Sequence, residues 1–386
     1  MNGIAWGLAC LLMSQQYPVF EQELIDDQVS IGYGLAIGDV DGDGKADILL
    51  ADKKAFVWYR NGDWKKFVLA ENLTEYDNVC IAARDIDGDG KVEIAVGAQW
   101  NPNETKDVSR SGAVFYLVRP EDPTQQWTPI VLHHEPTVHR MRWVQTDAGR
   151  YCLVVVPLHG RGNQNGEGRG VNIIAYEKPD DPAAQPWPYQ IIDQSLHLTH
   201  NLDVYGNNDR EQVYVGGKEG VKIFNYNKGR WRSTWLMKNQ PTSEIRVGQT
   251  KEGVPLLATI GPLHGNTVAV HVPRSGVPDL QTADRIVLDA GLQEGHALAV
   301  ADFLGTGRDQ VLAGWRSPDA LGFIGIKLYI PFNPLWEAWT TRVVDLGDMA
   351  CEDLTVADLN GDGKLDIIAA GRATHNLKIY WNRTGE

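Results

Sequence analysis

A chain of 386 residues, 43% apolar and 22% charged, is long enough to bury a large core and has the balance of a globular protein. Its formal net charge of -14, with no basic stripe, excludes a nucleic-acid binder, because a phosphate backbone would be repelled. Four cysteines without paired spacing (Cys10, Cys80, Cys152 and Cys351) argue against a disulfide framework or a cysteine zinc site.

In chain order, residues 4–13 form one short apolar run, IAWGLACLLM. It is too short to span a bilayer and has the character of a secretory h-region without a basic n-region. Residues 1–16 are therefore read as a candidate signal segment, residues 17–386 as one domain, and the protein as secreted or periplasmic. No later segment reads as a membrane span.

Next comes Val19–Ile25, a strand-like segment with no neighbour to form a hairpin. Three acidic stretches nearly copy one another: Asp39–Asp47 (DVDGDGKAD), Asp85–Glu93 (DIDGDGKVE) and Asp358–Asp366 (DLNGDGKLD). A degraded copy is Asp302–Gln310 (DFLGTGRDQ), with looser ones at Gln145–Cys152, Asp203–Gln212 and Gln249–Pro255. The period is about 53 residues, in the range of propellers and solenoids. Each unit reads as four short strands, clearest in Val79–Arg84, Glu93–Ala98, Gly112–Arg119 and Trp127–Leu132. No amphipathic helix separates the units, which argues against βαβ folds. The last unit runs out after Leu377–Trp381 and lacks its fourth strand, while Val19–Ile25 is one strand in surplus. The fold expected is an all-β, seven-bladed β-propeller with four-stranded blades, its ring closed by the N-terminal strand.

Asp residues at alternate positions, with Gly between, wrap oxygens around a hard cation. A plain polar turn has a similar composition, but four carboxylates in nine residues repel one another without an ion. Structural calcium is expected at about three sites: on Asp39, Asp41, Asp43 and Asp47; on Asp85, Asp87, Asp89 and Glu93; and on Asp358, Asn360, Asp362 and Asp366. The fourth loop has Leu304 and Thr306 in ligand positions. No helices flank these loops, so they are not EF-hands.

If the turns between first and second strands define the bottom of the ring, the acidic loops lie there and nine of the ten histidines lie on top, His271 falling in a third strand. His139, His200 and His296 stand near first-strand starts, where they point toward the axis, and His159 and His264 follow second strands. Arg140, Arg142, Arg161, Arg246, Arg316, Arg372 and Lys218 suggest a cationic cup, with Tyr33, Trp100 and Trp315 as aromatics. Such a cup suits an anionic or highly hydroxylated carbohydrate. The long top loops Asn101–Ser111 and Gly160–Gly170 would wall it.

The acidic loops resemble the FG-GAP/VCBS repeats of integrin-α-type propellers over almost the whole chain, which implies the fold and not the function. The segments Glu135–Trp143 (EPTVHRMRW) and Pro157–Arg161 (PLHGR) resemble the propeller domain of aldos-2-ulose (1,5-anhydro-fructose) dehydratase, and are similar to propeller-type polysaccharide lyases. The resemblance implies a His or Tyr that abstracts a proton α to a carbonyl or carboxylate. The cupin domains that follow the propeller in the dehydratase, and any isomerase step assigned to them, are not expected here.

The catalytic candidates are His139, His159, Arg161, His200, His264, His296 and Arg316. The expected reaction is β-elimination on a uronic-acid-containing glycan or keto-sugar. His139 or His159 is the base, Arg161 and Arg316 steady the enolate, and His200 or His264 protonates the leaving oxygen. A divalent metal on several histidines is a further expected cofactor. The alternative is a non-catalytic, glycan- or protein-binding propeller, and in either case a monomer. No nucleophile elbow or Rossmann fingerprint is present.

Overall fold

The computed structural model describes residues 17–207, 210–273, 279–332, 336 and 338–385, so the candidate signal segment lies outside the described residues. Short β-branched and aromatic runs separated by Gly- and Asp-rich turns give, among the described residues, seven antiparallel sheets of four strands each. The innermost strand of each blade is its first: Gly34–Gly38, Cys80–Arg84, Val138–Asp147, Thr199–Asn207, Glu244–Gln249, Gly295–Ala301 and Cys351–Ala357. Each packs on the next around the axis, and the seventh packs on the first.

The core is a series of layers between blades. Leu49, Phe56 and Trp58 of blade 1 pack with Ile94, Val96 and Leu117 of blade 2, and all six are buried. Burial on both faces explains why second strands such as Asp47–Ala51 and Glu93–Ala98 read as unbroken apolar runs, not alternating ones. The tryptophans before the fourth strands seal the layers. Trp127 sits in the layer between blades 1 and 2 and donates its main-chain N–H to the Leu69 carbonyl at 2.7 Å.

The last blade is composite, as the strand arithmetic predicts. Phe20–Asp26 pairs antiparallel with Asn376–Asn382, from Phe20 opposite Asn382 to Leu24 opposite Lys378, and becomes its outer strand. Asp26 then clamps blade 1, accepting from Tyr59 Oη at 2.6 Å and Lys66 Nζ at 2.8 Å. The looser copies differ from the acidic loops. At Gln145–Cys152 the strands run on until Asp147 pairs with Arg150, so Ala148 and Gly149 (φ 69°) make a tight hairpin. Asn207 likewise pairs with Arg210.

Gly112 sits under the connection that delivers His139 to the axis. Its φ is +75°, and a Cβ there would lie 2.2 Å from the Glu135 carbonyl oxygen. Gly112→Ala is expected to destabilise the protein by more than the ~1–2 kcal/mol of a left-handed L-residue. A urea unfolding midpoint equal to that of the parent would contradict this.

Candidate active site

Four imidazoles meet at the top of the channel, each from a different blade. His139, His200 and His296 stand at or near the starts of the first strands of blades 3, 4 and 6, and His264 lies between the second and third strands of blade 5. Ring centroids are 4.7 Å apart for His139 and His200, 4.9 Å for His200 and His264, 5.2 Å for His200 and His296, and 5.1 Å for His264 and His296. His264 has φ 47°, a left-handed backbone that costs a non-glycine residue free energy and places the ring against the other three. Trp100 stacks on His139 at 4.9 Å.

Hydrogen bonds fix which nitrogen of each ring looks inward. His139 Nδ1 lies 2.7 Å from the His200 carbonyl oxygen and His296 Nδ1 lies 2.6 Å from that of Glu352, so both Nδ1 atoms donate. In the neutral rings the lone pairs are then on Nε2. His200 Nδ1 is 2.8 Å from Glu244 Oε1, a close contact bent away from a linear hydrogen bond, and its Nε2 is 3.0 Å from His264 Nε2. The protonation states suit this arrangement. Burial, then the charges of Arg140 and His200, hold His139 well below the usual histidine range. Burial and Arg316 do the same to His296. Burial, His200 and Arg316 push His264 down to about 4. For Glu244 burial alone would raise the pKa, but His200, Arg246 and Arg140 outweigh it and lower the carboxyl to about 2. The result is an anion beside three imidazoles, those of His139, His264 and His296, that are held neutral.

Ligand atoms of His200, His264 and His296 all lie within 4.8 Å of one another. Neutral imidazoles held from behind by a carboxylate or carbonyl are what nitrogen-preferring divalent metals bind. The donor set therefore fits a transition metal such as zinc.

The other candidates are not part of this cluster of rings, and two of them, His159 and Arg161, have other surroundings. His159 lies across a bridge from Leu198, with its Nδ1 buried and unpartnered, burial lowers its pKa, and none of the four rings contacts it. Arg161 forks onto Glu135, with both bonds at 3.0 Å, and lines a separate pocket with His133 and Tyr189, whose rings stack at 4.3 Å. Arg316 neighbours the cluster but is held by Glu352 at 2.7 Å and Glu294 at 3.0 Å, and Arg372 shares Glu352 at 3.0 Å. Three cations of the expected cup, Arg161, Arg316 and Arg372, are thus paired with acids that the sequence pattern did not flag. Glu244 was also missed, although its place at the start of a first strand, level with the histidines, was a usable signal.

The acidic loops lie between first and second strands, on the opposite face. Asp39, Asp41 and Asp43 form one potential metal cluster, and Asp85, Asp87 and Glu93 another. Asp47 is buried and accepts from the main-chain N–H groups of Val40 and Asn61, each at 2.8 Å. Burial pushes its carboxyl up to about 7 despite those bonds, and Glu93 likewise to about 7. Asp366 repeats the clamp on Leu359 and Asn382, while Asp358 accepts from Gly361 and Gly363. In the degraded loop Gln310 Oε1 accepts from Phe303 N at 2.8 Å, so the clamp survives there without the charge.

The fold and site define a seven-bladed propeller with a histidine cluster at one mouth and acidic metal-type loops at the other. The profile of the aldos-2-ulose dehydratase β-propeller domain matches residues 111–274, and that of the FG-GAP-like repeat matches residues 34–96. Aldos-2-ulose dehydratase of Phanerodontia chrysosporium is 25% identical over 326 residues, covering 76% of this chain and 35% of that protein. The chain thus spans about a third of that relative's length. A chain of the mitotic checkpoint complex shares the fold at TM-score 0.57 and 12% identity, covering 98% of this chain and 97% of that one. BBS1N, solved with ARL6DN in a mercury-soaked crystal, does so at TM-score 0.59 and 13% identity, covering 96% and 98%. The protein is a seven-bladed propeller related to the FG-GAP repeat and aldos-2-ulose dehydratase propeller family.

Proposed function

We propose that this protein is a carbon–oxygen lyase that performs β-elimination on a uronic-acid-containing glycan or a keto-sugar at the top of the channel. The observation that carries this reading is the meeting of His139, His200, His264 and His296, from four blades, with the rings of His139 and His296 oriented by main-chain carbonyls and that of His200 set against Glu244. Burying four imidazoles together costs stability that a purely structural core has no reason to give up. In the reaction, a base takes the proton α to the carbonyl or carboxylate. The C–H pair becomes the C=C bond, the β C–O bond breaks, and the leaving oxygen takes up a proton from solvent.

His139 is the base, because its Nδ1–H is committed to the His200 carbonyl and its Nε2 keeps the lone pair. His200, His264 and His296 would hold a divalent metal, which when bound polarises the carbonyl and makes the α-proton more acidic. Glu244 orients His200. Arg316, fixed by its two glutamates, adds positive field beside the developing enolate. The test is a screen of uronic-acid oligosaccharides and keto-sugars for the new absorbance of a conjugated alkene. Absorbance that grows with enzyme and vanishes in His139→Gln is the expected result.

The acidic loops at Asp39–Asp47, Asp85–Glu93 and Asp358–Asp366 we infer to hold structural calcium, on oxygen-only donor sets. Chelation is expected to lower the thermal midpoint and added calcium to restore it, since an ion bound only by the folded state stabilises by mass action. A midpoint indifferent to both would remove calcium from the account.

A further inference from the structure

Beneath the histidines the channel holds a cavity of about 240 Å³ whose charged lining is Arg142, Arg246, Asp203 and Asp353, contributed by blades 3, 5, 4 and 7. Arg142 Nη1 donates to the Met141 carbonyl at 2.9 Å, and Arg246 Nη1 to the Ile245 carbonyl at 2.6 Å. Arg140, buried just above, reaches only the carbonyls of His139 at 3.0 Å and Val79 at 3.3 Å. Among the described residues none of these three guanidinium groups forms an ion pair. Each carries five N–H donors and spends one or two.

The nearby acids Asp203 and Asp353 offset part of this charge through space, but their hydrogen bonds go to main-chain N–H groups. Asp203 accepts from Val247 N at 2.7 Å, while Asp353 accepts from Leu35 N at 2.8 Å and Leu354 N at 3.0 Å, bonds that fasten one blade to the next. Lower in the same channel, Arg84 does pair with Glu211, at 2.8 Å. The fold therefore neutralises a channel arginine where it has no use for the charge. Arginine cations in so confined a site are ordinarily paired.

We propose that Arg142 and Arg246, with Arg140 adding charge from above, bind a small oxyanion: a carboxylate, sulfate or phosphate group. Two planar forks that enter one cavity from blades 3 and 5, on either side of blade 4, suit bidentate contact with such a group. The oxyanion has two sources, a free ion or the acid group of the sugar held above, and only the second rests on the lyase reading. As an acid-group subsite, the cavity would favour uronates over neutral keto-sugars.

Calorimetric titration of the full chain with sodium sulfate, phosphate, glucuronate and, as neutral control, glucose tests this without needing turnover. A protein that proves to be no lyase can still bind the ion. At least one oxyanion is expected to bind saturably and glucose not at all, with affinity about tenfold or more weaker in Arg142→Met and Arg246→Met. Glucuronate binding tighter than sulfate and phosphate marks the substrate's acid group, and the reverse marks a free ion. Arg142→Lys keeps the charge but loses the fork, and covers the case in which a Met variant fails to fold; it too is expected to bind more weakly. If none of the oxyanions binds, or the variants bind like the parent, the proposal is overturned.

Discussion

His200→Ala is expected to lower turnover by about 10²–10⁴-fold, the range for losing a group that acts directly on the reacting centre, and to remove a tightly held transition metal. His200 is the hub of the cluster: its ring contacts those of His139, His264 and His296, and its carbonyl fixes the tautomer of His139. The main-chain carbonyl survives the substitution, so His139 keeps its orientation and the loss reads the imidazole itself. The same change leaves Glu244 buried without the partner that lowers its pKa, so some stability is lost too. Thermal midpoints and metal content by mass spectrometry, measured beside the rates, separate the two effects. A folded His200→Ala protein with undiminished rate and metal content would remove His200 from the site.

Removing residues 1–27 is expected to be the most destabilising change outside the core. It takes the outer strand from the composite blade and leaves Asn376–Asn382 as an exposed edge. It also breaks the Asp26 clamp on Tyr59 and Lys66 and the contacts of Glu21 with Arg383 and Glu23 with Trp381. The loss is on the order of 4 kcal/mol or more, beyond the usual range for single substitutions. It is read as a fall in the urea midpoint together with concentration-dependent association. A synthetic peptide of residues 17–27 is expected to restore much of the stability by refilling the vacant edge. An unchanged midpoint in the truncated chain would show that the ring does not depend on this strand.

The architecture was legible because the acidic loops recur at a steady spacing and because strand deficit and surplus sit at opposite ends of the chain. Where the loops decay, as at Gln145–Cys152, the blade persists without them. The pairing of Asp147 with Arg150 needs only a two-residue hairpin, so no acidic signature is required. The histidine cluster was legible from strand topology alone: residues at first-strand starts converge on an axis whatever their distance in sequence. The same reasoning counted charges one sign at a time and so missed the pairing. Glu135 and Glu294 lie in the connections that lead into first strands and Glu352 at the start of one, while Arg161, Arg316 and Arg372 follow second strands on the same face, and the acids bind them there. His159 shares the top face with the cluster but sits beside Leu198, because a loop after a second strand fixes height along the axis and not distance from it. His264 occupies an equivalent loop and reaches the centre through a left-handed backbone that nothing in its neighbours announces.

The central claim, that the four clustered imidazoles and not the scattered polar groups of the top face do the chemistry, has one direct measurement. Initial rates of alkene formation on the best uronate or keto-sugar are compared for the parent, His139→Gln and His159→Gln. The account predicts that His139→Gln falls about 10²-fold or further while His159→Gln stays close to the parent. A parent that binds the glycan tightly yet forms no alkene, or a rate lost in His159→Gln and kept in His139→Gln, would contradict it.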